Sequence, residues 1–257
     1  RFVGDPTRRE GLFATDIDLD GHRAVVSTSG NPDGAYGGAV YVYRYDAATK
    51  AWARSARLTA SRGVEAGIFG QSVSLSGNRL AVAASTYFEY EPGSVYVFRR
   101  EADTGQWREA ALLRKVESFL IDIDLNQSTL IVGEDRAGEN GSGQASIYGE
   151  RESGTWGRWA TLHPSIPYDS GAFGAAVSLE APWALVSGYD EQLDKEINID
   201  RVVYVFRQRA DRSWSQHTIL DIGQVDFGAA LDQNGSMALI SSVPAEGPGA
   251  VYVVQLP

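Results

Sequence analysis

The sequence contains no cysteine in 257 residues. That excludes a disulfide framework and any thiolate zinc site. The absence suits a bacterial exported protein and a cytosolic protein equally. No apolar run approaches the roughly 20 residues that a membrane helix needs, so no membrane span is expected. Basic runs are missing as well. Lys and Arg number 23 against 33 Asp and Glu, for a formal charge of −10. A surface of that sign repels phosphate backbones, which argues against nucleic acid as a partner. There is no Gly-x-Ser-x-Gly elbow and no phosphate-binding loop. Methionine occurs once. The chain opens on Arg1, and the expectation is that a segment such as a signal peptide precedes it.

What is present points to strands. Glycine is high at 28, and there are 12 Tyr, 9 Phe and 6 Trp. Many turns and many aromatic strands follow from such a mixture. One pattern recurs five times, anchored on Phe13, Phe69, Phe119, Phe173 and Phe227 at spacings of 56, 50, 54 and 54 residues. An alternating strand follows each anchor: DIDL at 16–19, SVSL at 72–75, DIDL at 122–125, AVSL at 176–179 and GAAL at 228–231. Short polar turns come next, Asp20-Gly21, Ser76-Gly77-Asn78, Asn126-Gln127-Ser128, Glu180-Ala181-Pro182 and Gln233-Asn234-Gly235. Gly and Asn there supply the positive φ of a hairpin. The second strands read RAVVS, RLAVA, TLIVG, WALVS and MALIS.

The third strands, beyond a longer loop, read VYVYR, VYVFR, ASIYG, VYVFR and VYVVQ. Val95 and Val97 point one way and Tyr96 and Phe98 the other, so both faces are apolar. A strand of that kind must be covered by another layer on each side. A fourth, more polar strand is marked by Trp52, by Trp107, by Trp156 or Trp159, and by Trp214. Four antiparallel strands repeated five times at about 50 residues define a β-propeller. The fold class is therefore all-β, a five-bladed β-propeller of four-stranded antiparallel blades. It is read as one domain over 1–257, with repeats starting near 11, 67, 117, 171 and 225. The fifth copy ends at its third strand. Residues 1–5 are expected to supply the missing outer strand and close the ring. The alternative is a fragment of a seven-bladed ring.

The same residues carry a family resemblance. Phe69-Gly70, Phe173-Gly174 and Phe227-Gly228, followed by a Leu-Ala-Val-like strand and a Val-Tyr-Val-Phe strand, resemble the FG-GAP repeat. That repeat builds the integrin α-subunit propeller and recurs in bacterial surface proteins. Phe13-Ala14 and Phe119-Leu120 depart from the pair, and Gly133 and Gly188 are the nearest counterparts of its Gly-Ala-Pro half. The resemblance implies an extracellular binding module and raises calcium as an ion to look for.

Three stretches are candidates for function. Asp16-Ile17-Asp18-Leu19-Asp20-Gly21 looks like the start of a calcium loop. Asp16 and Asp18, however, align with Ser72 and Ser74 inside a strand, so a structural turn is the better reading. Asp122 and Asp124 repeat the pair, and such carboxylates are expected to bond the adjacent blade or to line the channel. The second stretch, 189–200, alternates oxygen ligands at Asp194, Glu196, Asn198 and Asp200. Ile199 occupies the position where an EF-hand-like loop needs glycine, so a solvated loop is expected. No metal site and no cofactor are assigned.

The third candidate is the set of loops at one end of the blades. They carry Tyr36, the run Tyr87-Phe88-Glu89-Tyr90-Glu91, Tyr168 and the pair Tyr189-Asp190. Tyr36, Tyr87, Tyr90, Glu91, Tyr168, Tyr189 and Asp190 are the candidate ligand-binding residues. Aromatics with carboxylates suit sugar stacking or a cationic protein partner. His22, His163 and His217 fall in a turn and at outer strands, where they do not converge, and no catalytic residue is assigned. The sequence is thus read as a non-catalytic adhesion or recognition module, secreted, periplasmic or at the cell surface. Its partner is a protein or glycan, and it can form part of a larger surface protein. The alternative is a glycoside hydrolase using paired carboxylates on the same face.

Overall fold

Five antiparallel sheets follow one another along the chain of this computed structural model. It describes residues 2, 12–29, 37–61, 67–86, 92–116, 122–165, 172–189, 201–223, 226–243 and 247–257. The first sheet is β1 (Leu12–Asp20), β2 (Arg23–Ser29), β3 (Ala39–Asp46) and β4 (Ala51–Leu58). The second is β5 (Gly67–Ser76), β6 (Arg79–Thr86), β7 (Gly93–Arg100) and β8 (Trp107–Val116). The third is β9 (Ile123–Asn126), β10 (Thr129–Glu134), β11 (Gln144–Glu150) and β12 (Trp156–Leu162). The fourth is β13 (Val177–Glu180), β14 (Trp183–Tyr189), β15 (Arg201–Gln208) and β16 (Trp214–Leu220). The fifth has three strands among the described residues, β17 (Phe227–Asn234), β18 (Met237–Ser242) and β19 (Ala250–Gln255). In each sheet neighbours in space are neighbours in sequence. These are the blades of a five-bladed β-propeller. No described helix is long and apolar enough to cross a membrane.

The chain falls into two compact units, Arg1–Ser128 with Glu150–Trp156, and Thr129–Gly149 with Gly157–Pro257. In the first unit, Val25, Val40 and Val42 of one sheet meet Phe69, Val73 and Leu75 of the next. In the second unit, Ile131, Ala145 and Ile147 meet Phe173, Val177 and Leu179. There too, Leu185, Val203 and Val205 meet Phe227 and Leu231. The rule is the same each time. Three apolar residues of strands two and three form a socket, and strand-one residues of the following blade enter it. Each Val, Leu or Phe so buried contributes about 1.5–3 kcal/mol by leaving water. This is the two-sided burial that the Val-Tyr-Val-Phe pattern demands.

Strand one is not regular. Phe13 pairs with Thr28 and Phe69 with Ala84, but the next matched pairs are Ile17 with Val26 and Val73 with Val82. The extra residues form a bulge at the Phe-Gly pair. Gly70 has φ 93°. A Cβ there would lie 2.9 Å from the Ser27 Cβ of the preceding blade. Both the backbone conformation and the close approach call for glycine. Gly133 answers a similar need, since a Cβ on it would reach 2.0 Å from the Gly174 carbonyl oxygen. A serine braces the bulge from strand two. The Oγ atoms of Ser27, Ser187 and Ser241 accept the N–H of Asp16, Ala176 and Ala230 at 2.9, 2.8 and 2.7 Å.

The hairpin turns are Gly21-His22, Gly77-Asn78, Gln127-Ser128, Ala181-Pro182 and Gly235-Ser236; the middle three lie within the turns read from the sequence, and the first and last extend one residue beyond them. The first residue takes positive φ in four of them, including Gln127 at 53°. The Ala181–Pro182 bond is cis. Trp156 opens β12 as Trp107 opens β8 and Trp214 opens β16, which settles the choice between Trp156 and Trp159.

Of the segment expected to close the ring, only Phe2 is described, and it is not in a strand. Its ring lies 4.5 Å from that of Tyr43 and 5.5 Å from that of Trp52. It therefore covers the face of the first sheet that the other sheets present to their predecessor.

Candidate functional site

The strand-one carboxylates join neighbouring blades. Asp16 Oδ1 accepts the N–H of Ile17, and its Oδ2 accepts that of Val73 at 2.7 Å. Asp18 repeats the arrangement with Leu19 and Leu75. Asp20 Oδ2 accepts from Gly77 N–H. At the next boundary the hydroxyls of Ser72 and Ser74 donate to Asp122 and Asp124 at 3.1 and 3.0 Å. Ser74 and Ser76 also accept the N–H of Leu125 and Gln127. Of the two roles expected for these aspartates, inter-blade bonding is the one found. Among the described residues no group of three His, Cys, Asp or Glu is placed to hold a metal ion. The possible ligands at 194, 196, 198 and 200 lie outside the described residues.

The loop end of the blades is described only in part. Tyr36, Tyr87, Tyr90, Glu91, Tyr168 and Asp190 lie outside the described residues. Tyr189, the last residue of β14, is half-buried and well held. The guanidinium of Arg201, the first residue of β15, sits over the Tyr189 ring at 5.4 Å, and Nη2 reaches its hydroxyl at 3.4 Å. Tyr204 Oη donates to the Tyr189 carbonyl at 3.0 Å. Register places the pair directly opposite each other, Tyr189 against Arg201. A fixed aromatic–guanidinium platform thus flanks the entry to, and exit from, the 190–200 loop.

The corresponding loop of the third blade is described throughout, and it is short. Ala137 N–H donates to the Glu134 carbonyl, and Gly143 N–H to that of Ala137. It is tied to the next blade by the Phe173 N–H bond to the Ser142 carbonyl. Glu134 is 3% exposed, and its carboxylate accepts from the Ser146 hydroxyl. Burial, and secondarily the Glu134 charge, push the Tyr148 phenol above its ordinary pKa. Sequence reasoning passed over Glu134. The signal available was its position, where the other copies have Thr28, Ala84, Gly188 and Ser242.

The histidines stay apart in their packing. The His22 ring stacks on Tyr45 at 5.9 Å, and the His217 ring meets the edge of Trp183 at 5.3 Å. His163 follows β12. Two surface clefts lie at the opposite, β-hairpin ends of blades. One, of about 470 Å³, contains Arg99, Arg100, Glu101 and Arg108. In it Glu101 pairs with Arg108. The other, of about 410 Å³, contains Arg207, Arg209, Ser215 and His217, with Arg207 over the Trp183 ring. Neither contains any of the residues predicted from the sequence.

The sheet order and the repeated inter-blade contacts define a β-propeller. Residues 52–98, from the tryptophan strand of the first blade to the third strand of the second, match the FG-GAP repeat family model. The chain is an FG-GAP-like β-propeller. Among solved structures it is similar to the β-propeller domain of the Trilobed protease from Pyrococcus furiosus, described as having an open velcro topology. The two are 11% identical with a TM-score of 0.56, and the match covers 96% of this chain and 69% of that one. No curated protein matches the sequence significantly.

Proposed function

We propose that this protein is a non-catalytic extracellular binding module that recognises a protein or glycan through the loops at the strand-two to strand-three end of its blades. The five repeats over 1–257 act together as one domain in this reading. The observation that carries it is the Tyr189–Arg201 platform beside the 190–200 loop. An aromatic held in place before a ligand arrives loses little freedom on binding. Its face suits a sugar ring or an apolar side chain, and the adjacent guanidinium suits a hydroxyl or carboxylate. The same end of the other copies carries Tyr36, Tyr87, Tyr90, Glu91, Tyr168 and, in this copy, Asp190. These residues differ from copy to copy while the scaffold repeats, as expected where function rides on loops.

The test is binding of the purified protein to an array carrying glycans and extracellular proteins. Tyr189→Ala and Tyr87→Ala are compared with the wild type. Selective binding that both variants weaken supports the reading. Binding that neither variant changes removes the loop end as the site. Consumption of an arrayed glycan would replace binding with hydrolysis.

A further inference from the structure

At the hairpin end of the first two blades, arginines stand directly opposite each other. Arg23 pairs with Arg44 across β2 and β3, and Arg79 with Arg99 across β6 and β7. Like charges so placed repel and destabilise a sheet. Arg23 and Arg44 lie two residues from Val25 and Val42, on the face turned to the second blade. Arg23 Nη1 donates across to the Gly77 carbonyl of that blade at 3.4 Å.

Between the second and third blades a carboxylate answers the pair. Glu150 Oε2 accepts from Arg79 Nε at 2.7 Å, and its Oε1 lies 3.7 Å from Arg99 Nη1. The Glu150 side chain is only 8% exposed. Between the first and second blades the backbone is the same and the charge is opposite. Arg100 ends β7 as Glu150 ends β11, and each N–H donates to the second residue of its blade's hairpin turn, Asn78 and Ser128. Arg100 lies two residues from Phe98, which belongs to the core shared with the first blade. It therefore stands toward Arg23 and Arg44 as Glu150 stands toward Arg79 and Arg99. Arg23, Arg44 and Arg100 form no ion pair among the described residues. Burial first, and then the Arg100 charge, hold the Arg23 guanidinium below its ordinary pKa. Arg44 adds to this and Asp20 opposes it, but Asp20 Oδ2 already accepts the Gly77 N–H. All these residues fall in the first compact unit.

We infer that the hairpin end of the boundary between the first and second blades is a binding site for a doubly charged tetrahedral oxyanion, sulfate or phosphate, held by Arg23, Arg44 and Arg100. The anion takes the place that the Glu150 carboxylate takes one boundary further on. The three guanidiniums with a dianion carry the same net charge as Arg79 and Arg99 with one carboxylate. The planar fork of arginine matches such oxygens, and hydrogen bonds between ionised groups are the strong kind. Arg44 is exposed and Arg23 and Arg100 are half-buried, so the site is open to solvent. It lies at the opposite end of the blades from the recognition loops and does not depend on them. One bound oxyanion is compatible with the overall charge of −10, which still repels a long phosphate backbone.

The test is isothermal titration calorimetry of the purified protein with sodium sulfate and with sodium phosphate, near neutral pH in a constant background of sodium chloride. Saturable binding of at least one anion to a single site is expected. Arg44→Gln should weaken it about tenfold, the loss of one hydrogen bond between charged groups. Arg100→Glu should abolish it, because the new carboxylate fills the site. Arg100→Gln replaces that variant if circular dichroism shows it unfolded, with a loss of about tenfold expected. Arg99→Gln, at the neighbouring boundary, should bind like the wild type. A sulfated disaccharide titrated alongside separates two sources of the anion. Tighter binding than inorganic sulfate supports the site and assigns it to a sulfated glycan; equal or weaker binding supports it as a site for the free ion. Absence of saturable binding of both inorganic anions overturns the inference. So does wild-type affinity in the Arg100 variant, or a loss in Arg99→Gln as large as that in Arg44→Gln.

Discussion

The carboxylate of Asp18 accepts the backbone N–H of Leu75 at 2.6 Å, across 57 residues of sequence. A side chain of one blade thereby completes the backbone hydrogen bonding of the next. Leu75 is 5% exposed, so its N–H has little access to water once that acceptor is gone. Asp18→Ala is expected to cost about 1–3 kcal/mol, the cost of leaving a buried donor unpaired. Thermal unfolding should show a fall of several degrees. Asp18→Asn retains an acceptor and should lose less. Equal losses in the two would mean that charge, not this hydrogen bond, matters.

The Phe-Gly pair makes an opposite prediction at two equivalent positions. Ala14 adopts φ 65° where Gly70 adopts 93°. An L-residue in that region pays roughly 1–2 kcal/mol that glycine does not. Ala14→Gly should therefore raise the unfolding midpoint. Gly70→Ala should lower it by more, because its Cβ also meets Ser27. Chemical denaturation of both variants measures the two signs, and a destabilised Ala14→Gly would refute the argument.

Tyr148 predicts an alkaline limit on stability. Its phenol is raised in the folded protein, first by burial and then by Glu134. Ionisation begins in the unfolded chain near the ordinary value of about 10. The stability contributed by the neutral phenol is thus complete below that pH. It is lost as pH rises toward and through the higher folded value. Tyr148→Phe should show a shallower decline in stability above about pH 10. Identical slopes in wild type and variant would contradict this assignment.

The scaffold was readable because its physical demands repeat. A bulge that needs glycine and a third strand covered on both faces leave Phe-Gly and Val-Tyr-Val-Phe in one copy after another. The serine brace was readable in principle, since Ser27, Ser187 and Ser241 stand fifth in three of the five second strands, yet nothing in one copy reveals its partner. The loop-end residues were legible as chemistry alone. Of the seven, Tyr189 is the one whose surroundings are described, and the Arg201 partner that fixes it was not anticipated.

The central claim is that the loop end of the propeller recognises a ligand. The most direct measurement is the affinity of wild-type and Tyr189→Ala protein for the strongest ligand found on a combined glycan and protein array. Loss of a stacking aromatic from a preorganised site predicts at least a tenfold weaker Kd, with circular dichroism at the assay temperature verifying that the variant is folded. Equal affinity in the two proteins, or no array ligand for the wild type, would contradict the account.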